Sequence, residues 1–449
     1  RHLTTFSASP SSLKGRKWGT IAAMQSTLYL IVFLITGGLI ICAAALSGRK
    51  TKSDEDFSLA GRDLSATGVS WVIIGTLVGG ASTIGTVQMA YSYGYAAWYF
   101  TLGSGIACLC LALFFAAPLR EAEVTTVAEY LGRTFGANYR LYSSALTSLG
   151  MFVHIIAQFI AAKAILDAVI GGSLWFSLLL VFLLHLVIVV LGGMKGAAWL
   201  GRAKCVLLYA LLLSCAALAL SKAGGYAALK ASLPAGNYGF WAYGKRKGAI
   251  DLFSVVIGVL STQTYLQALF SARDVKSARN GALLSAVLIP PIGLLGIIVG
   301  LYLRNSHTFT THSAKALPYF INTYFGEFLA AVSTAILLVV VLGTGAGLSL
   351  GVTTNIFNDF FKETKRNDAI RLQQIRLCSV LVLFLALVIV YWGLQSAILE
   401  WSYLSMGIRG SAVLAGLMLV VFLPKHCPWP PFRWFLYLLP ILYGLLKVL

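Results

Sequence analysis

Charge is scarce in this chain: only 15 Asp and Glu occur among 449 residues, and all charged types together make up 11%. A soluble globular chain carries about 25% charged residues, and its surface helices need a polar face. The long apolar segments here have none, so a large soluble helical protein is excluded. Cysteine and histidine are few as well, 7 and 6 respectively. The closest cysteine pair, Cys108 and Cys110, is C-x-C, and no histidine pair completes a zinc spacing. The cysteines sit mostly inside apolar segments and read as free apolar thiols. No nucleotide-binding motif and no nucleophile–base arrangement is present, so no enzyme is expected.

The net charge of +19 could suggest nucleic acid, but Lys and Arg gather in short connections between apolar segments. No basic run is interleaved with aromatics as a stacking platform would need. No nucleic-acid partner is expected. The partner is the lipid bilayer.

Hydrophobic residues make up 58% of the chain. A bilayer-spanning helix needs about 20 apolar residues, and hydropathy gives about twelve spans. They run near 25–46, 66–92, 96–118, 140–170, 174–193, 198–220, 249–270, 280–303, 327–357, 375–393, 397–423 and 432–448. Alternate connections carry the positive charge, as in Arg120/Arg133/Arg140 and Arg273/Lys276/Arg279. The positive-inside rule makes that set cytoplasmic. Both termini are then outside, in a plasma (inner) membrane protein. Residues 1–24 are basic, rich in Ser and Thr and free of acids, a composition shared with transit segments. Because the chain opens at Arg1, they are read as residues ahead of the natural start and given no part in the fold.

The second span is interrupted at Gly79-Gly80-Ala81-Ser82-Thr83, and the seventh carries Gly258, Ser261, Thr262, Gln263 and Thr264 at similar depth. Irregular backbone at mid-membrane is tolerated only where it lines a cavity or is buried in protein. Five spans separate the two, so the halves they belong to have opposite orientations. That is the sequence pointer to an inverted-repeat carrier with discontinuous helices.

Several segments resemble the sodium/solute symporter family. D-F-S-L-A-G-R-D-L-S (56–65) looks like the entry to its second helix, and A-S-T-I-G-T-V-Q-M-A-Y-S-Y-G (81–94) is similar to the continuation. V-T-T-V-A-E-Y-L-G-R-T-F-G (124–136) is similar to the cytoplasmic linker and I-I-A-Q-F (155–159) to the fourth helix. G-G-M-K-G-A-A-W (192–199) is close to the family signature G-G-x-K-A-x-x-W. S-T-Q-T-Y-L-Q (261–267) and A-R-D-V-K-S-A-R-N-G (272–281) resemble the seventh helix and the loop after it. The likeness runs from about 50 to 425.

The resemblance implies an all-α polytopic membrane protein with the inverted-repeat fold of the leucine transporter. Its five-helix repeats would fall at 66–220 and 245–423, with extra helices at 25–46 and 432–449. It also implies a coupling sodium between the broken second helix and the ninth. The carbonyl ligands would fall at Thr76 and Gly79, each uncertain by one position, and near Val340. The paired hydroxyl positions fall on Gly343 and Thr344.

Here the sequence departs from the pattern. Gly343 cannot supply a hydroxyl, and the family's W-T-D-x-x-Q reads Trp199-Leu200-Gly201-Arg202-Ala203-Lys204. One hydroxyl and one carboxylate are missing from a hard-cation site, while two cations have appeared nearby. Arg202 or Lys204 could substitute for sodium, fixed or protonatable, since burial can move a lysine into the range where it exchanges protons. Alternatively both snorkel to the cytoplasmic face and the remaining oxygens still hold sodium. Sodium or the proton is thus the coupling ion, with no other metal and no cofactor.

Within the presumed cavity, Gly80, Ala81, Ser82, Thr83, Gln158, Thr262 and Gln263 offer neutral hydrogen bonds to a small polar organic solute. Lys163 and Asp167 are spaced i,i+4 and can pair. His154 and His185 read as core histidines, and Glu400 and Arg409 as interfacial. G-T-G-A-G-L-S-L-G (343–351) reads as a helix-packing stripe. The function that follows is secondary transport of a small solute by alternating access, with sodium coupling kept, weakened or lost. The alternative is a transporter-like membrane sensor that binds a solute without coupled transport.

Overall fold

The computed structural model describes residues 27–48, 59–170, 174–233, 239–306, 313–361, 368–392, 397–423 and 430–448. The basic segment 1–24, the Asp56-Phe57-Ser58 start of the first family-like stretch and the lysines at 362 and 365 lie outside the described residues. The main helices are α1 (Thr27–Gly48), α2 (Ala66–Leu77), α3 (Thr86–Tyr93), α4 (Tyr99–Cys110), α5 (Val127–Phe135), α6 (Ala137–Val169) and α7 (Leu174–Ala223). They continue with α8 (Lys245–Ser261), α9 (Gln263–Phe270), α10 (Val275–Asn305), α11 (Glu327–Asn355), α12 (Asp368–Tyr391), α13 (Ile398–Phe422) and α14 (Pro430–Val448). Among the described residues there is no strand, only an isolated parallel bridge between Leu64 and Ala272.

Eight helical stretches in the described residues are long and apolar enough to cross a membrane, with shorter apolar helices at Thr27–Cys42, Ala66–Leu77, Leu174–Val189 and Trp434–Lys447. One boundary differs from the hydropathy reading. The fifth and sixth spans form one continuous helix, α7, of 50 residues. At about 1.5 Å per residue it is more than twice as long as a bilayer's hydrocarbon core is thick. Glycines 192, 193 and 196 lower helix propensity by about 1 kcal/mol each, which does not by itself end a helix. The turn from α3 to α4 falls between the second and third expected spans, at Gly94, whose φ of 59° and ψ of −130° suit a residue without Cβ.

Two helices are broken where the sequence marks them. α2 ends at Leu77, because Val78 adopts extended dihedrals (φ −86°, ψ 103°). A π turn, Ala81–Gly85, then leads into α3. α8 ends at Ser261, and Thr262 is likewise extended (φ −81°, ψ 123°) before α9 begins. Both breaks are fully buried. α6 packs against α13 and α11, while α7 packs against α2 and α11; α6 and α13 flank the first break, and α13 and α11 the second. The 343–351 stripe is in contact on several sides. A Cβ at Gly343, Gly345, Gly347 or Gly351 would overlap Leu200, His185, Thr76 or Thr264 respectively.

At the end of the bundle where Lys and Arg concentrate, the broken helices are tied together. Leu64 N–H donates to Ser271 O at 2.9 Å, and Arg273 N–H to Leu64 O at 3.0 Å. The Arg120 guanidinium donates to Ala272 O. Asp359, just beyond α11, is buried and accepts from Thr126 Oγ1 (2.9 Å), Arg140 Nε (2.8 Å) and Ser144 Oγ (2.8 Å). Thr126 also caps α5, its Oγ1 accepting from Glu129 N–H at 3.0 Å.

Candidate functional site

The last intrahelical bond of α2 runs from Val78 N–H to Ile74 O at 2.9 Å. Gly75 O is therefore the first carbonyl without a helical partner. The Lys204 ammonium fills that vacancy: its Nζ donates to Gly75 O at 2.6 Å and to Thr344 Oγ1 at 2.8 Å. Thr344 Oγ1 lies 2.9 Å from Val78 O, its best acceptor, and 3.3 Å from both Gly75 O and Val340 O. Three carbonyls, one hydroxyl and one ammonium thus converge where α2, α7 and α11 meet. Lys204 is 2% exposed, whereas Arg202, about 200° around the helix, faces outward.

Relative to the family-based expectation, Val340 and Thr344 lie at this cluster, and the α2 carbonyls there belong to Gly75 and Val78, one residue before Thr76 and Gly79. The shift follows from Val78, not Gly79, carrying the extended dihedral. Thr76 Oγ1 instead donates to Val72 O at 2.8 Å, and Gly79 O accepts from Thr83 Oγ1 at 2.8 Å. Gly343 faces Leu200: a Cβ there would come within 2.5 Å of Leu200 Cδ2. Gly201 is in still closer contact, since a Cβ there would overlap the carbonyl of Trp71 in α2. Gly201 and Gly343, the positions where the family resemblance leads one to expect an acid and a hydroxyl, have no room for a Cβ, and this close approach accompanies the reach of Lys204 to Gly75.

The residues expected around the solute are all buried, but they differ in what they have left to offer. Gln158 Oε1 accepts from Gly80 N–H at 2.8 Å, pinning the unwound backbone, and its Nε2 has no partner. Ser82 Oγ donates to Leu77 O at 3.4 Å, Ala81 O accepts from Thr86 Oγ1 at 3.0 Å, and Thr262 Oγ1 donates to Gly258 O at 2.5 Å. Gln263 is engaged at both ends of its amide. Its Oε1 accepts from Val127 N–H and its Nε2 donates to Thr125 O, both at 2.9 Å, so it ties the second break to the α5 linker. Ser261 Oγ, Thr264 Oγ1 and Tyr265 OH, beside that break, have no hydrogen-bond partner. Gln158→Met is expected to leave Gly80 N–H unsatisfied and to cost about 1–3 kcal/mol, read as a lower melting temperature of the purified chain.

Other ionisable groups resolve differently. Lys163 Nζ and Asp167 Oδ2 form the i,i+4 pair at 2.5 Å. His185 stacks on Phe159 with ring centroids 4.8 Å apart, and its Nδ1 lies 3.0 Å from Val181 O. Glu400 is exposed, as an interfacial residue would be. Arg409, on α13, has no exposed surface and lies against Gly150 and His154 of α6. Contact with α6, not the flanking sequence, decides its burial.

The family profile described as "Sodium:solute symporter family" matches residues 57–427. The chain belongs to that family. A Bacillus subtilis (strain 168) relative, "Uncharacterized symporter YwcA", is 24% identical over 419 residues, covering 89% of this chain and 82% of that protein. Among solved structures, a Na+-coupled sialic acid symporter in a substrate-bound outward-open state aligns with a TM-score of 0.76 at 17% identity. It covers 88% of this chain and 87% of its own. Mhp1, a nucleobase-cation-symport-1 family transporter in a closed conformation with bromovinylhydantoin bound, gives 0.58 at 14% identity, covering 83% and 81%. A manganese transporter from Eremococcus coleocola gives 0.51 at 12% identity, covering 86% and 85%. These likenesses establish the fold, all-helical with the inverted repeat of the leucine transporter. This sodium:solute symporter family member is therefore an integral membrane transporter, and family and fold are those of a carrier, not typically those of an enzyme.

Proposed function

We propose that this family member carries a small polar organic solute by alternating access, with the Lys204 ammonium standing where a coupling cation would stand, so that uptake does not require sodium. The observation that carries the proposal is the buried Nζ between Gly75 O and Thr344 Oγ1, at 2.6 and 2.8 Å. A hard cation needs oxygen ligands. Here two of the convergent oxygens are already held by a positive charge, and Gly343 and Gly201 withhold the further hydroxyl and carboxylate. An ammonium linking α7 to the broken α2 and to α11 favours the arrangement in which all three meet. Coupling requires the cation to bind one state better than the other, and a protonatable amine supplies that difference through its proton.

The solute would sit between the two breaks, α6 and α11, where Gln158 Nε2, Ser261 Oγ and Thr264 Oγ1 have no partners. The five-helix repeats would be 66–220 and 245–423, with helices 25–46 and 432–449 outside them and the N-terminus outside a plasma membrane. The test is uptake into proteoliposomes with sodium replaced by choline at fixed pH. Uptake is expected to be equal in the two media. A loss of about tenfold or more, 1.4 kcal/mol of coupling, rejects sodium independence. Binding without translocation supports a sensor instead.

A further inference from the structure

Arg409 is a permanently charged group with no exposed surface, near the middle of an apolar helix. Its Nη2 lies 3.0 Å from His154 Nδ1 and 3.0 Å from Met406 Sδ. Its Nε and Nη1 have no hydrogen-bond partner, and among the described residues no carboxylate comes within ion-pair distance. Beyond that ring nitrogen and thioether sulfur, which both meet Nη2, the surroundings add donors. Because His154 Nδ1 accepts from the guanidinium, the imidazole proton belongs on Nε2, which has no partner either. Tyr265, on α9 just past the second break, is within electrostatic range of the guanidinium, and its hydroxyl is also unpartnered. An uncompensated charge in such a place costs several kcal/mol, and donors without acceptors are each a further penalty.

We propose that Arg409, His154 and Tyr265 form an anion subsite that takes the carboxylate of a small organic acid. An N–H or O–H directed at a carboxylate oxygen is among the stronger hydrogen bonds available. A carboxylate accepts on both oxygens, matching donors that arrive from α13, α6 and α9. The same break also leaves the buried Ser261 Oγ and Thr264 Oγ1 without partners, so the acid carries a further oxygen, as a 2-hydroxy or 2-oxo monocarboxylate does. Three close contacts hold the subsite together. A Cβ at Gly150 would approach Arg409 Cβ to 3.1 Å, one at Gly258 would approach Met406 Cβ to 2.5 Å, and one at Gly410 would overlap Ile257. The inference rests on the transporter reading only in taking the acid to be cargo.

The test is thermal unfolding of the purified full chain in sodium-free medium with choline lactate and choline pyruvate. Choline chloride and lactamide at equal concentrations serve as comparisons. Both carboxylates should raise the melting temperature, and chloride and lactamide should not. Arg409→Gln should weaken the apparent affinity for lactate at least tenfold, and Tyr265→Phe should weaken it several-fold. Without ligand, Arg409→Gln should melt no lower than the wild type, because an uncompensated charge has been removed. Failure of Arg409→Gln to fold, or a drop of several degrees in its ligand-free melting temperature, assigns the guanidinium to structure and overturns the proposal. Equal stabilisation by chloride or lactamide overturns it too, as does no stabilisation by either acid. Stabilisation by lactate without uptake into proteoliposomes would sink the transport reading and leave the subsite standing.

Discussion

Lys204→Ala is expected to lower uptake in choline medium at least about a hundredfold, with part of that loss recovered when sodium is added. The side chain makes two charge-assisted hydrogen bonds, to Gly75 O and Thr344 Oγ1. Bonds to charged groups contribute about 1.5–3 kcal/mol each, and 1.36 kcal/mol is a factor of ten in rate, so losing both accounts for two decades or more. Truncation leaves no new buried charge. It leaves the oxygens of Gly75, Val78, Val340 and Thr344 around the space that the ammonium filled. Oxygens so arranged suit a small hard cation, which is why sodium should become a partial substitute in the variant while remaining dispensable in the wild type. A monodisperse elution profile establishes that the variant is folded. Undiminished choline uptake by folded Lys204→Ala would remove the ammonium from the coupling mechanism.

The sequence makes both breaks legible, and the register of the second but not of the first. Glycine, serine and threonine at 79–83 and 258–264 mark both discontinuities; the extended Thr262 falls inside the second stretch, but at the first break the extended residue is Val78, one position before the marked residues. Valine favours extended backbone, but that does not single out Val78, because Val69 and Val72 in the same helix share the preference and stay helical. The choice between Arg202 and Lys204 was hidden for a different reason. In lipid the outward face of a helix is as apolar as its packed face, so hydropathy does not distinguish them. The stripe Leu200, Lys204, Leu208 and Leu211 is buried, while Arg202, Val206 and Leu213 face outward. A fixed i,i+4 row through Lys204 was the only available signal. Arg409 had a comparable one, a lone cation in the middle of α13 with no acid one turn away. The Asp359 network had none, since its partners Thr126, Arg140 and Ser144 are more than 200 residues distant in the chain and meet only through the fold.

Gly201→Ala tests whether close backbone contact is what brings the ammonium to its place. A methyl at 201 would overlap the Trp71 carbonyl oxygen and lie 2.7 Å from the Trp71 carbonyl carbon and 3.1 Å from Gly75 Cα. These are backbone atoms of a packed helix, so no rotamer change relieves the contact, and α7 and α2 must move apart. Overpacking against side chains costs about 1–3 kcal/mol, and a backbone contact belongs at or above the top of that range. The variant should melt several degrees lower than the wild type and lose uptake. Separation of the helices withdraws Lys204 from Gly75 O even though the lysine is still present. Gly201→Asp, which restores the acid of the family pattern, meets the same obstacle at its Cβ. It is expected to fold worse still and to acquire no sodium dependence. A Gly201→Asp protein that melts like the wild type and requires sodium for uptake would mean that α2 and α7 are not in contact at this point. The ammonium would then not occupy the position from which the coupling argument starts.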